Sequence, residues 1–164
     1  MTILQSLLPE FDHEMAGTRK TLARVPWEKA AWKPHEKSMT LGHLAGHLAE
    51  VASWGSFTLE TDELDFATFD YQPPRHGSTD ELLAAFDRYV AASRAALERT
   101  DDATAMSPWT MRQGEQVFFT LPKVAVLRSF VLSHNVHHRA QLGVYLRLLD
   151  VPVPALYGPS ADEQ

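Results

Sequence analysis

The chain has 164 residues and no cysteine, and its 15 Lys and Arg against 21 Asp and Glu give a formal net charge of −6. This acidity argues against a nucleic-acid-binding protein and against attachment to an anionic lipid surface, since both usually need a basic face. The missing cysteines exclude disulfides, thiolate zinc sites and a cysteine nucleophile. Because we find no basic leader and no apolar run long enough to span a bilayer, we expect a cytoplasmic protein.

Hydrophobic periodicity predicts four long helices and no series of strands. Capping boxes mark two of the starts, T-x-x-Q at Thr2 and S-x-x-E at Ser78, and Pro122 suits the first turn of the last helix. The connections are polar and contain prolines, and the longest is an acidic surface loop over 58–77. A short extended piece around Gln116–Phe119 is compatible with the pattern. The helices are expected over about 2–25, 38–57, 78–99 and 122–149.

Four helices of this length predict an all-α fold, a four-helix bundle, in one domain over 1–164 with an irregular tail from about 151. The unusual feature of the composition is its eight histidines, five of which form the clusters His43/His47 and His134/His137/His138.

Two of these histidines fall on a helix face that should be buried. At about 100° per residue, His134 and His138 lie on the apolar stripe of the fourth helix. His47 lies at the border of the apolar face of the second helix. Two adjacent buried imidazoles need polar partners, and a shared metal ion would satisfy both. We expect His43 and His137 to be exposed or to support the ligands.

The fourth helix also contains a recognisable signature. His134-Asn-Val-His-His138-Arg-Ala-Gln-Leu142 resembles the H-x-x-x-H-R-G-Q-L motif of the DinB-like (DinB/YfiT) superfamily, with Ala140 where glycine is common. The segment 41–50, LGHLAGHLAE, is similar to the second-helix segment of that family. The ending from Val151 to Asp162 also resembles many members, so the likeness covers most of the chain.

This resemblance implies a DinB-like four-helix bundle and a divalent metal ion held by His47, His134 and His138, the same three residues that the helical geometry selects. It also implies a homodimer. Characterised branches of the family include thiol-dependent S-transferases and a mycothiol-dependent isomerase. Zinc or nickel suits three imidazoles best, with iron or manganese as further candidates.

Other residues near the expected site have weaker assignments. Gln141 follows His138 by one turn and is a candidate to orient a ligand, and Trp54 and Tyr145 are candidate pocket walls. Arg139 points away from the apolar stripe, which favours a surface or dimer salt bridge. Glu50 is expected to be solvated or to cap a helix. The sequence identifies no catalytic residue.

Three functions stay open at this point. The first is a metal-dependent transferase or hydrolase acting on a small molecule, with a low-molecular-weight thiol as a candidate cosubstrate because the chain has no cysteine of its own. The second is a non-catalytic metal-binding or stress-response protein. The third is a purely structural helical protein whose buried histidines are hydrogen-bonded to one another.

Overall fold

The structure is a computed structural model that describes residues 2–164. A single 3-10 turn at Trp27–Lys29 follows the first helix, and a π-helical segment, Leu127–Ser133, joins α6 to α7. Among the described residues, no helix combines the length and apolar character needed to span a membrane. The helices are α1 (Ile3–Leu22), α2 (Leu41–Val51), α3 (Trp54–Glu60), α4 (Thr79–Arg99), α5 (Asp102–Met106), α6 (Lys123–Val126) and α7 (His134–Leu148), and the strands are β1 (Glu63–Asp65), β2 (Pro108–Gln113) and β3 (Gln116–Pro122).

The three strands make the fold mixed α/β, so the prediction of an all-α four-helix bundle is wrong. They form one sheet in the order β1-β2-β3, with β1 parallel to β2 and β2 antiparallel to β3. β1 lies in the predicted loop over 58–77, and β2 and β3 lie in the predicted connection before the last helix. These two connections therefore pair with each other. Because β1 has only three residues and its partner β2 lies more than forty positions further along the chain, local periodicity could not predict this pairing.

The hairpin of β2 and β3 has a local cause. Trp109 and Met111 point to the core while Thr110 and Arg112 are less buried, which is the period-two alternation of a half-buried strand. Gly114 has a φ of 60° at the first position of the two-residue turn, a conformation that costs glycine little. Trp109 is fully buried, and its indole N–H donates to the Thr61 hydroxyl at 3.1 Å.

The main core lies between the long helices. Thr2 and Gln5 form the capping box of α1, so its start is as predicted. Apolar side chains at helical spacing from α1, α2, α4 and α7 meet at the centre, and a second, smaller cluster packs under the sheet. Fully buried members of the main core include Leu4, Leu41, Leu44, Leu48, Leu82, Leu142 and Leu146.

The predicted second helix is divided between α2 and α3 by a serine of α4. The Ser93 hydroxyl donates to the Ala52 carbonyl at 2.5 Å and accepts from the Ser56 N–H at 2.9 Å. A Cβ on Gly55 would lie 2.7 Å from the Ser93 Oγ, so glycine is needed for this approach. The bonds supplied by Ser93 satisfy backbone groups at the break and let α3 leave α2 in a new direction.

A buried polar network joins α7 to α1. Arg139 is 3% exposed and donates to the Glu14 carboxylate at 2.5 Å and to the Glu14 backbone carbonyl at 2.8 Å. The Tyr157 hydroxyl donates to the same carboxylate at 2.7 Å. The expectation of a surface or dimer salt bridge at Arg139 is therefore wrong, since the side chain pairs within its own chain.

Replacing Arg139 should destabilise the fold strongly. In Arg139→Met, the buried Glu14 carboxylate loses its cation, and we expect a loss of about 3 kcal/mol in the free energy of unfolding. Urea unfolding measures it. Arg19→Met is the matched control, because Arg19 pairs with Asp87 at a half-exposed position and should cost less than about 1 kcal/mol. Equal losses in the two variants would contradict the importance of the buried network.

Candidate metal centre

Three histidines from two helices meet between α2 and α7. The Nε2 atom of His134 lies 2.8 Å from the Nε2 of His138 and 3.3 Å from the Nε2 of His47. One ring nitrogen from each of the three residues lies within 4.8 Å of the other two. His138 is buried, and His47 and His134 are partly buried. The structure thus brings together the three histidines that the sequence selected, which we call the histidine cluster.

The arrangement of the rings fits a metal ion. Imidazole nitrogens bound to one tetrahedral zinc ion lie about 3.3 Å apart. The Nε2 atoms of His47 and His134 have this separation, and those of His134 and His138 are closer, at 2.8 Å. The Nδ1–H of His138 donates to the Gln141 side-chain carbonyl at 2.7 Å, which leaves the lone pair of Nε2 for the cluster. Such an outer hydrogen bond fixes the tautomer and orientation of metal-binding histidines. Three neutral imidazoles are a suitable donor set for zinc, nickel or iron(II).

The electrostatics keep His134 and His138 neutral near pH 7. Burial and, to a smaller extent, the adjacent His138 and His47 rings together lower the pKa of His134 to about 4, since a second positive charge would be repelled. Burial also lowers the pKa of His138, although the Gln141 carbonyl opposes that effect. Neutral imidazoles are the form that binds a metal ion, so little proton competition is expected near pH 7.

Glu50 lies beside the cluster and is not the solvated residue that we expected. Its side chain is 14% exposed, and one carboxylate oxygen is 3.9 Å from the Nδ1 of His47. The same oxygen accepts from the Tyr71 hydroxyl at 2.6 Å. Burial and this carboxylate both raise the pKa of Tyr71, so the phenol stays protonated and acts as a donor. A carboxylate on the outer nitrogen of a metal-binding histidine is a common supporting contact.

A cavity of about 100 Å³ adjoins the cluster through Glu50. Trp54 and Phe57 form one wall, and Tyr71 on the segment after β1 forms part of another. Trp54, which the sequence suggested as a pocket wall, lines this cavity. Tyr145 is placed differently, because it packs edge-on against Trp32 and donates to the Met39 carbonyl at 3.2 Å.

The remaining histidines of the two sequence clusters are exposed. His137 lies on the outer side of His138, with ring centroids 4.8 Å apart. His43 lies one turn before His47 and faces a different cavity. Sequence reasoning missed Glu50 and Tyr71. The i+3 spacing from His47 would have been a signal for Glu50, whereas nothing in the loop sequence singled out Tyr71.

Comparison with known proteins gives consistent relatives. The uncharacterized protein YrdA of Bacillus subtilis (strain 168) is 28% identical over 98% of this chain and 91% of its own length. Two crystal structures of DinB-like proteins share the fold. YjoA of Bacillus subtilis matches with a TM-score of 0.71, 16% identity and coverage of 92% of this chain and 96% of its own. A protein of Bacillus cereus ATCC 10987 matches with a TM-score of 0.68, 22% identity and coverage of 93% and 97%.

The sequence profile of the DinB family matches residues 2–164, which is nearly the whole length of the molecule. The histidine cluster, the resemblance of 134–142 to the family motif and the shared fold agree with that match. The chain belongs to the DinB family.

Proposed function

We propose that this protein is a metal-dependent enzyme that acts on a small molecule as a transferase or hydrolase. One divalent metal ion would be held by the Nε2 atoms of His47, His134 and His138. The observation that supports this most directly is the meeting of three imidazoles, with Gln141 orienting one of them. Three protein ligands leave room for a small molecule, which distinguishes this donor set from the closed four-ligand sites of structural zinc.

The proposed chemistry needs a nucleophile, which a water or a thiol at the metal would supply. When bound, the metal would lower the pKa of a water or thiol so that it can attack at neutral pH. Because the chain has no cysteine, a thiol nucleophile would come from a low-molecular-weight cosubstrate. Gln141 holds the His138 ring in place, and Glu50 with Tyr71 provides an acceptor and a donor close to His47.

The proposal includes the identity of the metal and the assembly of the protein. Three nitrogen donors favour zinc or nickel over manganese, and iron is the next candidate. Homodimerisation is proposed from the family resemblance, and α7 exposes the apolar side chains Val144 and Leu148 that a partner chain would cover.

Metal content tests the first part of the proposal. Elemental mass spectrometry of the untagged parent should find about one equivalent of metal, since three good donors meet at one point. His47→Ala and His138→Ala should retain almost none, because each removes one donor.

His137→Ala is the matched control, since it removes an exposed histidine from the same helix and should keep the metal of the parent. If the parent takes up no metal after incubation with zinc, nickel and manganese, the histidines are a hydrogen-bonded core cluster and the proposal fails.

Turnover tests the catalytic part. The metal-loaded protein, assayed with a panel of low-molecular-weight thiols and carbon electrophiles and with a panel of esters and amides, should form product in one of the panels. A chelator should abolish the product, and His138→Ala should reduce the rate at least about a hundredfold, by analogy with loss of a catalytic electrostatic group. A metal-loaded protein that is inactive on both panels would instead support the non-catalytic metal-binding alternative.

Acid should weaken both the metal-free fold and metal binding. The pKa of His134 is about 4 in the folded chain and about 6.5 in an unfolded one, so the unfolded state binds more protons between these values. The stability of the metal-free protein should therefore fall as the pH drops below about 6.5 and level off near 4. Urea midpoints from pH 7 to pH 4 measure this dependence.

The stability of His134→Phe should depend less steeply on pH than that of the parent, because the variant lacks the lowered pKa of His134. Some dependence should remain, since the pKa values of His138 and His76 are also lowered. Metal retained after dialysis should decrease over the same range, since protons compete for the imidazoles. Parallel curves for the parent and His134→Phe would contradict the burial of an uncharged His134.

A further inference from the structure

A second and larger cavity opens at the N-terminal end of α2. Its volume is about 480 Å³, within the range of about 300–1,000 Å³ that small-molecule sites occupy. The segment 73–76 forms one wall, and residues around the 3-10 turn form the other. Apolar lining comes from Trp27, Ala30, Pro73 and Pro74, and polar lining from Thr40, His43, Arg75 and His76.

The charge of this lining is opposite to that of the protein. The chain carries a net charge of −6, yet among the described residues no Asp or Glu lines the cavity. Arg75 forms no ion pair within residues 2–164, whereas eight of the ten arginines do. An unpaired guanidinium on an acid-free wall would favour an anionic ligand, and its planar fork suits a carboxylate.

The imidazole of His76 forms part of the wall and offers no hydrogen-bond donor to the cavity. Its Nε2 is buried and has no hydrogen-bond partner in the described part of the chain. The ring stands edge-on to Trp27, with centroids 6.4 Å apart. Burial lowers the pKa of His76, and the negative charge of Glu81 opposes this effect. The Glu81 carboxylate accepts a hydrogen bond from the Gly77 N–H at 2.7 Å. The His76 Nε2 is closed to solvent and lies next to the ring carbon that faces Gly46 of α2, so a ligand in the cavity does not reach it.

The backbone of α2 offers no comparable donors, so recognition depends on side chains. The N–H groups of Leu41 and Gly42 donate to the carbonyls of Trp32 and Ala30. The N–H of His43 donates to the Thr40 hydroxyl at 3.2 Å. These amides of the first turn are already satisfied, which leaves the Arg75 guanidinium as the charged donor for a ligand.

The cavity is close to the histidine cluster. His43 on its wall precedes His47 by four residues on the same face of α2, which corresponds to about 6 Å along the helix. His76 also packs on this helix, since a Cβ built on Gly46 would lie 3.7 Å from its ring. A molecule anchored in the cavity would therefore extend toward the cluster over about one helical turn.

We propose that this cavity binds a carboxylate-bearing small molecule with an apolar or aromatic body. Arg75 holds the carboxylate, and the body lies against Trp27 and the prolines of the lining. That this molecule is a substrate of the enzyme rests on the proposed function, whereas the binding of the carboxylate does not depend on a metal ion.

Benzoate is the probe that tests this proposal. Titrated into metal-free protein, it should bind with a dissociation constant of about 1 mM, as expected for nine heavy atoms with one charged anchor. Amide NMR signals of Gly42 and Arg75 should shift during the titration. Benzyl alcohol and benzylammonium, which keep the ring and lack the negative charge, should bind at least about tenfold more weakly.

Arg75→Gln should weaken benzoate about tenfold, because it removes the charged donor to the carboxylate. Arg128→Gln is the matched control, since it makes the same change in net charge at an exposed residue outside the cavity and should bind like the parent. Equal affinity for the three probes, unchanged affinity in Arg75→Gln, or no binding of benzoate by the parent would each overturn the proposal.

His138→Ala separates this inference from the proposed function. The variant should lose the metal ion and still bind benzoate with the affinity of the parent. Metal binding without benzoate binding would overturn only the carboxylate site, and benzoate binding by a protein that takes up no metal would overturn only the metal centre.

Discussion

The ion pair between Arg139 and Glu14 fixes the rotation of α7, and the histidine cluster depends on that rotation. Neighbouring residues on a helix point about 100° apart, so Arg139 and His138 face different partners, as do Asn135 and His134. Arg139 and Asn135 are buried against α1. Arg139 donates a hydrogen bond to the Glu14 backbone carbonyl, and the Asn135 side-chain carbonyl accepts one from the Thr18 hydroxyl. The same orientation directs both histidines toward α2. A rotation of α7 about its axis would break these polar contacts and, at the same time, move His134 and His138 away from His47.

Both helices that supply the cluster are irregular close to their histidines. The π-helical segment ends at Ser133, directly before His134, and α2 ends four residues after His47. π-Helical segments are rare and are frequent at functional sites, because they change which face of a helix the following residues occupy. The break after α2 has a similar effect. It directs α3 so that Trp54 packs against both the main core and the cluster under the sheet.

The sequence was sufficient for features that depend on local periodicity and insufficient for those that depend on distant pairing. The capping box at Thr2 and the inward bearing of His134 and His138 follow from spacing along one helix. The sheet does not, because the three residues of β1 pair with a segment far along the chain. The helical wheel placed Arg139 off the apolar stripe, but it could not show that α1 holds Glu14 in a position to form the buried pair.

The sheet matters for the candidate site although the histidines lie on helices. The Asp65 carboxylate at the end of β1 accepts from the N–H groups of Ala67 and Gly114, both at 2.9 Å, which fixes the start of the segment that follows. The other end is held where the Thr79 hydroxyl donates to the Val25 carbonyl at 2.8 Å. Between these anchors the chain crosses α2 and delivers Tyr71 to Glu50 and His76 to the wall of the larger cavity. The aromatic and polar groups around the cluster are therefore positioned by a strand pairing, which explains why helix periodicity alone could locate the histidines and not their surroundings.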